Sequence, residues 1–297
     1  MPVDTVGKFL ALLCALFWAV AVILFRQAGQ TLKPITLNLY KTLVAAFFLL
    51  LAMWIIGDAL IPATAAPGDW VLVAASGVLG IAVADSLFFL CLNMLGAGLS
   101  AIVDCLYSPM VMFLSWLVLM DRLTLIQVGG AVLVITAVLA ASLKTGETAV
   151  GAREIVLGIL SGAAAMFLMG LGIVLMKPVL QRESVFWVAE MRQLAALAAL
   201  LLFLALKKGR RELAVSLVDR RNWRYAFPGS LLGNVFSMTI WVAAFKLTDT
   251  ISAAILNQTN TIFIVILASL LLKEPFTFRR LAATILGFSG SILVLLG

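Results

Sequence analysis

"LSAIVDCLYSPMVMFLSWLVLMDRLT" (99–124) and "ISAAILNQTNTIFIVILASLLLKEPFT" (251–277) are two versions of one segment. Ser100 matches Ser252, Asp121 matches Glu274 and Thr124 matches Thr277. The likeness extends outward in both directions. "LYKTLVAA" (39–46) sets against "EMRQLAAL" (190–197), so Lys41 matches Arg192, and 130–137 sets against 283–290. Pairing offsets stay within 151–153 residues, which marks an internal repeat about half the chain long.

Composition says what the repeat is made of. The chain is 64% hydrophobic and 12% charged, with a mean hydropathy of +1.16. Soluble domains are about 45–50% apolar, so this is a polytopic membrane protein. A spanning helix needs about 20 mostly apolar residues. Ten candidates fit, at 8–26, 34–56, 70–94, 98–120, 124–143, 154–176, 184–206, 225–246, 250–272 and 278–296. Each repeat therefore holds five helices, an odd number, and the second copy enters the membrane upside down. The predicted fold is all-α: ten transmembrane helices as two inverted five-helix repeats around a central cavity. The repeats cover 7–145 and 153–297, joined by the polar segment 144–153. A second basic segment contains "ELAVSLVD" (212–219), which predicts a short interfacial helix. The N-terminus mimics a signal peptide, with Lys8 and "AVA" at 19–21, but its apolar run continues to Phe25 and stops at Arg26. It reads as an uncleaved span.

Several function classes are excluded. The net charge of +7 comes from basic residues in loops, which fits anionic lipid rather than nucleic acid. Cys14, Cys91 and Cys105 all lie in apolar runs, and there is no histidine. That pattern gives no disulfide framework, no metal-ligand spacing and no nucleophile–histidine set. With no phosphate-binding loop either, neither an enzyme, a cofactor nor ATP drive is expected. An inverted repeat also argues for a moving carrier over a channel. Any proton coupling must rest on carboxylates.

These features resemble the drug/metabolite transporter superfamily, in its ten-helix EamA-type branch. The matching pieces are "LFWAV" (16–20), the basic residue early in helices two and seven, and the acid–loop–Gly pattern after helices four and nine. The resemblance covers nearly the whole chain and specifies architecture better than substrate. It implies transport of small metabolites through a central cavity, as in the family's aromatic amino acid exporters. One departure matters. Four-helix multidrug relatives carry a membrane-embedded glutamate in helix one, where this chain has no acid, so that coupling residue does not carry over.

Orientation is divided. Fourteen of the 21 Lys and Arg residues lie on the side opposite both termini. Positive-inside counting then places the termini outside the cytoplasm, whereas the resemblance implies cytoplasmic termini. The expected membrane is the cell (inner) membrane.

Ionisable groups inside membrane spans are costly, and each is a functional candidate. Lys41, Asp85 and Asp104 sit on three helices, and the rise per residue places them at one depth, about 9–14 Å below the face opposite the termini. One aspartate pairs with Lys41, and the other is left free to carry a proton. The second repeat keeps the base as Arg192 and adds Glu190, whose different helix face predicts different partners. Ser237 stands for Asp85 and Leu256 for Asp104, while Asn234, Asn257 and Asn260 supply amides. Trp18, Phe89 and Trp241 are candidate aromatic walls. Tyr107 joins the polar stripe of helix four, where Pro109 removes a hydrogen bond to the Cys105 carbonyl. The kink is expected in this half only, because helix nine has no matching proline.

The expected function is a secondary transporter moving a small polar or zwitterionic, amino-acid-like metabolite by alternating access, with proton coupling open. The alternative is an uncoupled facilitator or lipid flippase of the same fold. Expected partners are a small-molecule substrate, membrane lipid and, if coupled, protons. A monomer or weak dimer suffices.

Overall fold

The computed structural model describes residues 3–119, 123–142, 151–206, 219–248 and 255–296. Ten helices are seen: α1 (Val3–Ala28), α2 (Pro34–Ile56), α3 (Pro67–Leu95), α4 (Ala97–Asp104 and Tyr107–Leu119), α5 (Leu125–Ser142), α6 (Ala152–Leu180), α7 (Val185–Leu206), α8 (220–247), α9 (Ile255–Leu272) and α10 (Phe278–Leu296). Among the described residues, all but α8 are long and apolar enough on their own to cross a membrane. The 212–219 segment and the Asp121–Arg122 turn lie outside the described residues, apart from Asp219.

Local chemistry sets the ends. Pro34 and Pro67 open α2 and α3, where a missing N–H costs nothing. Asp69 reaches back to the Ala66 N–H at 3.0 Å, and Asp219 accepts from the Arg221 N–H at 3.0 Å. Gly57 ends α2 at φ 82°, and Gly96 turns the chain between α3 and α4 at φ 81°.

Packing follows the repeat. α3 lies along α6, as α8 lies along α1; α4 meets α6, as α9 meets α1; α2 meets α7 and α5 meets α10. Exchanging the two repeats leaves this pattern unchanged, as an inverted pair requires. Glycines make the close crossings. A methyl group at Gly130 of α5 would lie 2.6 Å from the Gly290 carbonyl of α10. Gly162 lies against Cys91 and Val103, and Gly287 against Cys105.

Two irregularities recur at matching places. α3 contains a π turn at Val78–Val83 and α8 one at Leu231–Phe236, both offset by 153. In α3 the Asn38 amide of α2 fills the loosened ladder, donating to the Ile81 and Ala82 carbonyls at 2.9 and 3.0 Å. Gly80 sits inside that turn against Gly172 of α6.

Helix breaks also recur, and here the expectation of a one-sided kink is corrected. α4 breaks at 105–106, above Pro109, and the freed Cys105 carbonyl accepts from the Ser291 hydroxyl at 3.4 Å. α9 breaks at 258–259 without any proline. There the Thr259 hydroxyl bonds back to the Leu256 carbonyl at 2.6 Å, competing with the helical ladder. The two breaks and the two π turns set a structural register of 153. The expected pairing of Asp104 with Leu256 therefore shifts by one residue: Asp104 corresponds to Asn257, and Tyr107 to Asn260.

Candidate functional site

A cavity of about 330 Å³ lies between the repeats. Eight helices line it, α1 to α4 and α6 to α9, while α5 and α10 contribute nothing. It lies across the middle of the bundle and extends toward the two termini. On that side it reaches Met176 near the end of α6, Ala189 near the start of α7 and Trp241 near the end of α8.

On the side of the termini, Arg182 pairs with Asp69 at 2.7 Å and the Trp187 indole N–H donates to the Leu60 carbonyl at 2.9 Å. The opposite side is fastened too. The Arg26 guanidinium donates to the Asn93 carbonyl at 3.3 Å, and the Thr31 hydroxyl donates to the Asn222 side chain at 2.8 Å. Glu274 accepts from the Ala97 and Gly98 N–H groups at 2.7 and 3.0 Å. Phe25 and Phe89 pack edge to face beneath these contacts, with ring centroids 5.1 Å apart.

The structure gathers most of the candidate residues here. Lys41, Asp85, Asp104, Tyr107 and Trp18 line the cavity from the first repeat. Arg192, Asn234, Trp241, Asn257 and Asn260 line it from the second. Both repeats use the same positions. Gly80, Ile81, Asp85 and Phe88 of α3 correspond to Gly233, Asn234, Met238 and Trp241 of α8 at an offset of 153. Asp104 and Tyr107 correspond to Asn257 and Asn260 in the same way.

Three candidates fall elsewhere. Phe89 turns away from the cavity to pack on Phe25, and Phe88 takes its place, because the π turn adds a residue and rotates the face. Glu190 is buried outside the lining, and neither carboxylate oxygen finds a hydrogen-bond partner among the described residues. Pro109 is buried beside the α4 break and does not line the cavity.

Charges are arranged unevenly. Lys41 and Asp85 form an ion pair, both side chains almost fully buried, with the Lys41 ammonium 5.9 Å from the Phe89 ring centre. Asp104 and Arg192 make no hydrogen bond or ion pair among the described residues. Arg192 is 8% exposed and its Nε has no acceptor. The repeat explains this difference. Lys41 and Arg192 are equivalent bases, but in the register of 153 Met238, and not the expected Ser237, stands where Asp85 pairs with Lys41 in the first repeat, and Asp85 reaches Arg192 only at longer range. Tyr107 interacts electrostatically with both Arg192 and Asp104.

Sequence reasoning missed Gln193, a lining residue whose buried Oε1 has no donor. Being one residue beyond Arg192 was its only signal. It also missed the thioethers of Met169, Met176 and Met238, which are indistinguishable from core residues until the helix faces are known.

No curated protein matches the chain. A solved crystal structure superposes with a TM-score of 0.66 at 15% identity, covering 98% of this chain and 96% of that one, so the two share a fold. The model of the EamA-like transporter family matches twice, at residues 5–143 and 156–296. With both repeats matched and the inverted ten-helix architecture in place, the chain belongs to the EamA-like transporter family and is a multi-pass membrane transporter of the drug/metabolite type.

Proposed function

We propose that the protein is a secondary transporter of a small polar metabolite, amino-acid-like and zwitterionic, which it moves across the cell (inner) membrane by alternating access. The observation that carries this reading is the central cavity. It lies at the repeat interface, is lined by eight helices and holds four charged side chains that a lipid-exposed surface would not tolerate. Contacts between the repeats hold both faces, Thr31 to Asn222 on one and Arg182 to Asp69 on the other, and alternating access breaks one set at a time.

Asp104 is the group we assign to proton coupling. Asp85 is occupied by Lys41, whereas the Asp104 carboxylate faces the cavity with no cation of its own. A proton or a cationic substrate group neutralises it, and the two compete.

Uptake into proteoliposomes under an imposed pH gradient tests the proposal. Substrate flux driven by the gradient, and lost to the gradient in Asp104→Asn, is the expected result. Flux that ignores the gradient makes the same cavity an uncoupled facilitator. Absence of flux for amino acids, amines, nucleosides and sugars alike overturns the transporter reading for this cavity. A reporter fused to the C-terminus decides which way the protein sits.

A further inference from the structure

The cavity carries two buried charged side chains, of opposite sign, that hold no hydrogen bond or ion pair of their own among the described residues. Lys41 and Asp85 form an ion pair, and the Asp85 carboxylate also acts on Arg192 at longer range. Arg192 and Asp104 are left, one from each repeat, with no hydrogen bond or ion pair among the described residues. A buried charge without a partner is expensive, and its cost is recovered when a ligand supplies the complement. The unpaired polar atoms point the same way. Arg192 Nε lacks an acceptor, while Gln193 Oε1 and Asn257 Oδ1 lack donors.

We infer that Arg192 and Asp104 are the two poles of the substrate site: Arg192 binds a carboxylate, and Asp104, helped by the Asn257 amide oxygen, binds an ammonium group. The inference rests on the transporter reading above and names which residue reads which end of the substrate. A simple anion would satisfy Arg192 and leave Asp104 without a counter-charge. A simple cation would do the reverse. An anion would need a proton on Asp104 as well, whereas a zwitterion satisfies both groups with one molecule and in doing so joins the first repeat to the second. The rest of the wall is largely uncharged and apolar, with Trp18, Phe88, Met169, Ile173 and Met238. It takes an apolar side chain and offers a third charge no partner.

Equilibrium binding to the full-length protein in detergent tests this, followed by intrinsic tryptophan fluorescence. The probes are leucine, methionine and phenylalanine, each with its C-terminal amide (a cation) and its deaminated acid (an anion). Loss of one charge-assisted contact weakens binding roughly tenfold or more. Each zwitterion is therefore expected to bind at least that much more tightly than its two analogues. Arg192→Gln is expected to erase the difference between zwitterion and amide while keeping that between zwitterion and deaminated acid. Asp104→Asn is expected to do the opposite. Thermal unfolding of both variants confirms that they are folded.

Either analogue binding as tightly as its zwitterion overturns the assignment. So does a variant losing both discriminations equally, or failure of all three zwitterions to bind. Proteoliposome flux separates this from the wider reading. If nucleosides, sugars or amines are carried and zwitterions are not, the transporter stands and the two poles fall. If zwitterions bind with the expected discrimination but nothing is carried, the poles stand and the transporter falls.

Discussion

The Glu274 carboxylate, in the α9–α10 connection, accepts a hydrogen bond from the Ala97 N–H at 2.7 Å, capping the start of α4 from the other repeat. Its second oxygen takes the Gly98 N–H and lies 3.4 Å from the Arg280 guanidinium. Lys273 makes the geometry possible: it ends α9 in the left-handed conformation, at φ 56°, and turns Glu274 toward α4. The Ala97 and Gly98 N–H groups have no partner within their own helix, and a carboxylate is their best acceptor.

Removing this cap tests its contribution. Glu274→Ala is expected to destabilise the protein by about 0.5–2 kcal/mol, seen as a lower melting temperature in detergent. Glu274→Gln, which keeps one oxygen, is expected to cost less. Equal losses in the two variants would show that the bond is not what matters.

The ion pair and the two free charges predict opposite signs. Lys41 and Asp85 are partners, so Asp85→Asn strands a buried ammonium and is expected to cost about 3–5 kcal/mol. The double variant Lys41→Met, Asp85→Leu is expected to recover most of that, since a buried pair is often replaceable by apolar side chains. Asp104 and Arg192 have no hydrogen-bond or ion-pair partner to strand among the described residues, and Asp85 acts on Arg192 only at longer range. Asp104→Asn and Arg192→Gln are therefore expected to leave the substrate-free protein as stable or more so. A strong loss for Asp104→Asn would mean that its carboxylate is structural.

The α5–α10 crossing gives a control on packing. A side chain at Gly130 or Gly290 meets the opposing backbone, so Gly290→Ala is expected to cost about 1–3 kcal/mol through overpacking. Gly129, one residue away, has open space where a Cβ would go. Gly129→Ala is expected to be neutral or stabilising by about 0.5–1 kcal/mol, because alanine is the better helix former. Thermal unfolding of the pair measures the difference.

Much of this was legible beforehand, for a physical reason. A lysine or aspartate in an apolar span costs so much that it stands out, and Lys41, Asp85, Asp104 and Arg192 all reached the cavity. The inverted repeat was visible because both copies keep the same punctuation. What was not legible depended on the backbone ladder. A π turn inserts one residue into a helix without marking the sequence, so the aromatic wall was assigned to Phe89 instead of Phe88. The break in α9 depends on one threonine hydroxyl choosing a carbonyl, whereas the proline in α4 announces itself. The serine-based match of the repeats placed Leu256 opposite Asp104, and only the observed breaks showed that an asparagine holds that position. Glu190 looked like a site residue because it is a carboxylate next to Arg192, but its own face of α7 is turned from the cavity.

The matched breaks lead to the last prediction. If proline caused the break in α4, α9 would have none, yet both helices open at the same register. Pro109 therefore reinforces a break that a hydroxyl also holds, Ser291 on the Cys105 carbonyl in α4 as Thr259 on the Leu256 carbonyl in α9. In Pro109→Ala the new N–H competes with the Ser291 hydroxyl for the Cys105 carbonyl, which already has a partner at 3.4 Å. The break should persist with a stiffer helix. Thr259→Val removes the side-chain bond to the Leu256 carbonyl and leaves it the longer contact from the Thr259 N–H at 3.2 Å. Thr259→Val is therefore expected to straighten α9 and slow transport several-fold while substrate affinity changes little, because Asn257 and Asn260 flank the break. Pro109→Ala is expected to have the smaller effect. Binding and counterflow measured on the same preparations separate affinity from turnover, and a larger loss in Pro109→Ala than in Thr259→Val would reverse the argument.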